Sequence, residues 1–179
     1  IYQCDWSSDV CSSDLLNHDG PNTAELFQIW LNLPGVQKFA TPHFSMLWSE
    51  SVPVVTFRDA SGRAVEVTVA AGELDGHRPP PSPPESWASR RASDVAIWRI
   101  AMDPGAQWVL PAATGADTLR VLYVFEADGL TVAGTHLADH TGVLLRGSAD
   151  VALEAGSGGV EILLLQGRPI GEPVVQYGP

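Results

Sequence analysis

The sequence predicts an antiparallel all-β domain, a sandwich or jelly roll built from about eight or nine short strands. Three observations lead there. Runs rich in Val, Ile, Leu and aromatic residues recur at regular spacing with turn residues between them. Seventeen glycines and fourteen prolines in 179 residues supply the many turns that such a fold needs. Almost no stretch carries a helical apolar period. The 45% hydrophobic content is ordinary for a packed domain, and the length allows one domain with part of a second.

Residues 1–15 stand apart from the rest. Ser7-Ser8-Asp9 and Ser12-Ser13-Asp14 repeat, and both cysteines, Cys4 and Cys11, lie here. No apolar period is present, and no charged region precedes an apolar core, so the segment is neither strand, helix nor signal peptide. Cys4 to Leu15 resembles the conceptual translation of a sequencing-library adapter, and the expectation is a non-native segment. The alternatives are a Cys4–Cys11 disulfide or half of a metal site. Two cysteines alone cannot complete a zinc site. No inference about redox compartment is drawn from them.

Residues 16–52 read as the end of one domain and a linker. Asp19-Gly20-Pro21-Asn22 is a turn cluster. Glu25 to Leu33 (ELFQIWLNL) is an apolar run of strand length, closed by Pro34. A strand that apolar requires cover on both faces, and little chain precedes it to give one. A short helical turn is expected between Pro34 and Thr41, since Pro suits a first turn. Thr41-Pro42 then forces extension, and Ser45 to Ser51 continues as an irregular connector.

Residues 53–179 read as the main domain. Val54 to Phe57 and Val65 to Val69 flank Asp59-Ala60-Ser61-Gly62, a hairpin pattern. Leu74 to Ser86 is a loop, because Pro79 to Pro84 holds five prolines and cannot join a central strand. Strands are expected over Val95 to Met102, ended by Asp103-Pro104-Gly105, and over Gln107 to Leu110. Thr118 to Glu126 (TLRVLYVFE) is the strongest strand pattern, turning at Asp128-Gly129 into Leu130 to Ala133. Gly142 to Arg146, Ala149 to Glu154 and Val160 to Gln166 complete the set, and Gly167 to Pro179 is loop-like.

Charge excludes some functions. Ten basic residues against 21 acidic ones give −11; without Asp5, Asp9 and Asp14 the balance is 10 against 18, or −8. Such a chain repels nucleic-acid phosphate, so no direct nucleic-acid partner is expected. No apolar run reaches membrane-spanning length, so no membrane partner is expected either. The expected location is the cytoplasm. No Ser-His-Asp order, phosphate-cradling loop or paired-carboxylate motif is recognisable.

Several residues invite a chemical reading and are expected to be structural. His136, Asp139 and His140 would share a face on a helix, but they fall between Gly134 and Gly142 and read as a solvated turn. His43 reads as a linker residue engaged in aromatic packing or a hydrogen bond between barrels. His77 and Arg78 front the proline loop and read as exposed. His18 adjoins the adapter-like segment and carries no weight. Arg168 and Glu172 flank Pro169 and could pair with each other or tie the last loop to a barrel absent from this chain; the plainer reading is an exposed loop pair worth about 0–1 kcal/mol. The six tryptophans read as packing anchors.

Three blocks carry a family resemblance: ELFQIWLNL (Glu25 to Leu33) with Pro42-His43-Phe44, DPGA (Asp103 to Ala106), and LLLQGRPIGEPVVQYGP (Leu163 to Pro179). In this order and spacing, over about Leu16 to Pro179, the chain resembles the pirin family of the cupin superfamily. The resemblance implies two tandem antiparallel jelly-roll (cupin) barrels. Residues 16–52 would end the N-terminal barrel and residues 53–179 would form the C-terminal one, truncated at its end. The Glu25 strand would then be an orphan of a barrel absent from this chain.

The resemblance also implies where metal chemistry belongs. Cupins hold a mononuclear metal with a His-x-His pair, a carboxylate and a further His, a donor set suited to iron with open positions for oxygen. In pirins that metal sits in the N-terminal barrel. In the second barrel the corresponding positions fall near Pro111, Ala113 and Leu145, none of which can bind a metal. No catalytic, cofactor-binding or metal residue is therefore assigned in this chain. Iron or a similar divalent metal is implied only for the other barrel. For a protein containing both, the resemblance implies either a quercetin 2,3-dioxygenase-like oxygenase acting on a flavonol or a non-enzymatic, metal-dependent regulator docking on a protein partner.

Overall fold

The structure, a computed structural model, describes residues 19–21 and 26–173. The adapter-like segment with Cys4 and Cys11, His18, Glu25 and the terminal Val174 to Pro179 lie outside the described residues. Every strand lies in a compact unit that begins at Leu31, and residues up to Trp30 form a separate unit.

Two β-branched runs form the first hairpin, β1 (Val54–Arg58) with β2 (Ala64–Ala71), in register from Val54↔Thr68 to Arg58↔Ala64. Asp59 builds its turn. One carboxylate oxygen accepts from the Ser61 N–H at 2.8 Å and the Arg63 N–H at 3.1 Å; the other accepts from Arg63 Nε at 2.8 Å. The second oxygen also accepts from the Gln107 N–H at 3.2 Å, joining the hairpin to β4 (Gln107–Leu110). Burial works to raise the Asp59 carboxyl, but these bonds from Arg63, Ser61 and Gln107 outweigh it and leave the carboxyl below its usual value.

The remaining strands are β3 (Ala96–Met102), β5 (Leu119–Ala127), β6 (Leu130–Val132), β7 (Thr135–Leu137), β8 (Thr141–Leu145), β9 (Val151–Ala155) and β10 (Val160–Gly167). They form a six-stranded sheet, β1-β2-β3-β10-β5-β8, and a four-stranded sheet, β4-β9-β6-β7. Every pairing is antiparallel. Burial follows the two-residue period of the strands: Val65, Val67 and Val69 of β2, Trp98 and Ile100 of β3, Ile162 and Leu164 of β10 and Leu153 of β9 share one core. Trp98 keeps its indole N–H satisfied inside that core by donating to the Ala71 carbonyl at 3.1 Å.

The expected strands appear within a residue or two of their predicted bounds, and β7 is an addition. A 3-10 turn occupies Gly35–Gln37 after Pro34, where the helical turn was expected. Two further 3-10 turns, Trp87–Ser89 and Arg91–Ser93, follow the proline loop. One expected strand is absent from the described residues. Leu26 to Leu33 forms no strand, and Leu26 and Trp30 are 77% and 87% exposed. A strand exists through its ladder partners, and no described residue supplies them to this stretch.

Candidate functional site

The positions where the family resemblance places cupin metal ligands follow β4 and end β8. Pro111 and Ala113 follow β4 and line a single cleft, and Leu145 ends β8. The loop between them is pinned by its backbone: the Ala112 N–H donates to an Asp150 carboxylate oxygen at 2.7 Å, and the Ala113 N–H to the Gly147 carbonyl at 2.8 Å. A pyrrolidine, a methyl and an isobutyl group offer a metal no lone pair. Among the described residues no group of three or more His, Cys, Asp or Glu side chains could hold an ion. These side chains do not fit an iron ion.

What the barrel end does contain is a charge. Arg120 sits on β5 at the same parity as Leu122 and Val124, so it lies on the strand's interior face and is fully buried. Its cross-strand partners are Leu145 on β8 and Gln166 on β10. A guanidinium therefore occupies the row in which Leu145 stands at a ligand position. Nε, Nη1 and Nη2 are all buried and have no hydrogen-bond partner among the described residues. Burial lowers the guanidinium from its ordinary value, and attraction to Asp94 and Asp150 opposes that shift.

Asp94 is itself tightly held. It takes a left-handed backbone conformation at φ 51°, and its Oδ2 accepts from the Gly115 N–H at 3.0 Å and from the Thr118 hydroxyl at 2.6 Å. Gln166 Nε2 donates to the Asp94 carbonyl at 3.1 Å and to its Oδ1 at 3.3 Å. Gln166 Oε1 is buried with no partner among the described residues. Asp94 and Gln166 reach an open cleft of about 770 Å³, which Trp98, Pro111 and Ala113 also line.

Residues 97–179, from β3 onward, match the family described as the pirin C-terminal cupin domain. This part of the chain is a pirin C-terminal cupin domain. Curated relatives agree over most of the chain. A pirin-like protein of Caulobacter vibrioides is 31% identical over 86% of this chain and 50% of its own length. A provisionally named quercetin 2,3-dioxygenase of Pseudomonas aeruginosa is 32% identical over 86% of this chain and 51% of its own. Human pirin is 27% identical over 85% and 49%. The chain spans about half the length of the curated relatives it matches. The fold agrees with a crystal structure of quercetin 2,3-dioxygenase from Acinetobacter baumannii, at TM-score 0.64 and 21% identity over 84% of this chain and 48% of that one.

The other residues singled out in the sequence are dispersed over this pirin barrel. Arg168 does not pair with Glu172. Arg168 Nη2 binds Asp117 at 2.6 Å, its N–H donates to the Ser93 carbonyl at 2.7 Å, and its carbonyl accepts from the Trp87 indole at 2.9 Å. Glu172 instead accepts from the Gly35 N–H at 2.7 Å. The GRP block thus works as a latch across the barrel end: its guanidinium holds the Asp117 carboxyl below its usual value. His136 lies on β7 opposite Thr131 rather than on a turn, and His140 is a turn residue at φ 54° beside Asp139. His43 shares a 3.0 Å hydrogen bond with the Ser45 hydroxyl, and Nδ1 of the exposed His77 lies 3.0 Å from the Asp75 carbonyl. Arg78 pairs with Glu73 at 2.5 Å.

Arg120 carried a sequence signal of its own. In TLRVLYVFE the apolar-in positions are Leu122 and Val124, and Arg120 falls on the same face two residues earlier. A charge on the core face of the strongest strand marks a special position.

Proposed function

We propose that this pirin chain is the metal-free barrel of a two-barrel cupin whose other barrel holds iron or a similar divalent metal. The activity proposed for the whole is that of a quercetin 2,3-dioxygenase-like oxygenase, with a flavonol as substrate. This chain alone has no oxygenase activity in that reading, and it serves as the partner barrel of the metal-bearing one. One observation carries it: the row that a cupin would furnish with ligands presents Pro111, Ala113 and Leu145 here. The half-length match to relatives that include a provisionally named quercetin 2,3-dioxygenase supports the pairing with a second barrel.

A second reading has its own support, because other relatives carry only the name pirin or pirin-like protein. It makes the two-barrel protein a non-enzymatic, metal-dependent regulator that docks on a protein partner. The two readings separate in one experiment. The N-terminal barrel of a relative is joined ahead of Leu16, the product is loaded with iron, and oxygen uptake with quercetin is measured. The oxygenase reading expects uptake that requires both iron and the joined barrel. Iron loading without any uptake overturns it in favour of the regulator.

A further inference from the structure

The open cleft of about 770 Å³ beside Asp94 has the size of a small-molecule site. Three of the chain's ten basic residues, Arg78, Arg90 and Arg91, line it, although the chain as a whole carries −11. Its charges do not all cancel. Arg78 is paired with Glu73. Asp94 is held by Gly115, Thr118 and Gln166 and attracts the buried guanidinium of Arg120. Asp75 is the one other carboxylate on the lining. Among the described residues Arg90 and Arg91 form no ion pair with a carboxylate. Two exposed guanidiniums therefore stand against one carboxylate, and the cleft is locally positive on an acidic protein.

The two arginines sit on turns that are already built. They meet where the 3-10 turns Trp87–Ser89 and Arg91–Ser93 join. The Ser86 hydroxyl accepts from the Ala88 N–H at 3.2 Å, and the Ser93 hydroxyl donates to the Arg90 carbonyl at 2.6 Å. The Arg168 N–H, donating to the Ser93 carbonyl, ties the second turn to the end of β10. The Arg90 guanidinium lies over the Trp87 ring, 5.2 Å from its centroid, and donates to Gln37 Oε1. Neutral groups thus fix its place and leave its charge available. Much of the remaining lining is apolar, with Pro79 to Pro81, Pro111, Val95 and Trp98.

We propose that this cleft binds a small monoanionic carboxylate with an apolar body, received by Arg90 and Arg91. The carboxylate accepts charge-assisted hydrogen bonds from the two guanidiniums, and the apolar lining covers the body. A single surplus positive charge favours a monoanion over a dianion, which Asp75 would repel more strongly. Pro111 and Ala113 form part of the wall, so the positions that cannot hold a metal instead shape the cleft. The site uses only this chain's residues and is independent of the oxygenase reading.

The test uses the whole chain and benzoate as the probe, with benzyl alcohol as its uncharged counterpart and inorganic phosphate as an anion without an apolar body. Binding is followed at fixed ionic strength by nitrogen-15 NMR of the backbone amides. The expected result is a saturable shift with benzoate at Val95, Ala112 and Ala113, and weaker responses to the other two. Arg91→Gln weakens benzoate binding about tenfold, the loss of one charge-assisted contact. Arg58→Gln removes the same charge from β1, outside the cleft, and leaves binding unchanged. Arg91 is exposed, and an unaltered spectrum away from the cleft shows that its variant is folded. Absence of any saturable shift with benzoate overturns the proposal. Equal weakening by Arg58→Gln and Arg91→Gln overturns it as well, since the binding would follow net charge. Binding of benzyl alcohol or phosphate as tight as that of benzoate overturns the ligand class.

Discussion

Replacing Arg120 with methionine should stabilise the isolated chain. Methionine fills much the same space as the arginine stem without the guanidinium, so little packing is lost. No hydrogen bond to a described residue is lost either, since Nε, Nη1 and Nη2 make none there. The attraction to Asp94 and Asp150 disappears, but neither carboxylate is left stranded. Asp150 is exposed and accepts from the Ala112 N–H, and Asp94 keeps its bonds from Gly115, Thr118 and Gln166. The desolvation of a fully buried cation, several kcal/mol in real proteins, is relieved. Exchange of buried ionic groups for apolar ones is commonly neutral or stabilising by about 1–4 kcal/mol, and the low end applies because Asp94 and Asp150 lose an attractive partner. We expect a gain of about 1 kcal/mol in urea unfolding at neutral pH, with Tm raised by about 2–4 °C. A loss of more than about 3 kcal/mol would refute the reasoning. It would mean that the guanidinium holds the barrel together and is not a group kept at the expense of stability.

Three further predictions test the scaffold. Ile162 is fully buried on β10, which pairs with both β3 and β5, so Ile162→Ala should lower stability by about 2–5 kcal/mol in urea unfolding. A Cβ on Gly156 would lie 1.9 Å from the Asp128 carbonyl oxygen. Gly156→Ala should therefore destabilise by about 1–3 kcal/mol or more, read as a fall in Tm. Arg168 holds the Asp117 carboxyl below 3.8. A depressed carboxylate stabilises above its unfolded value, and that contribution is lost as pH falls through the folded one. Asp117→Asn should thus be less stable than the wild type at neutral pH, with the difference vanishing as acid unfolding is followed below pH 3.8; a constant difference would contradict the latch.

Much of this fold is legible because the strands are written twice, in β-branched composition and in turn chemistry. The first hairpin shows both, with valines at alternate positions of β2 and an Asp59 turn whose carboxylate collects the free N–H groups. β7 was not legible. Thr135-His136-Leu137 is three residues long, mostly polar and preceded by Gly134 at φ 82°, so its pairing with β6 sets its conformation and its propensity does not. Leu26 to Leu33 shows the reverse: an apolar run reads as a strand, yet strand structure needs a ladder partner that sequence pattern cannot guarantee. Pro111, Ala113 and Leu145 were singled out only through the family resemblance, which says where a cupin would carry ligands. The network of Asp94, Gln166 and Arg120 was not legible, because strand register pairs Arg120 with Gln166 and a side-chain hydrogen bond brings in Asp94, 72 positions from Gln166. The Arg168 latch was half visible: the residue stood out, but its partner, Asp117, comes from a distant loop.

The most direct test of the central claim is the metal content of this chain on its own. The purified chain is exposed to excess ferrous iron without oxygen, passed through a desalting column and analysed for iron by mass spectrometry. No iron should be retained above the buffer level, because Pro111, Ala113 and Leu145 offer no side-chain donors. Stoichiometric iron that a mutation in this barrel abolishes would contradict it and return the metal chemistry to this chain.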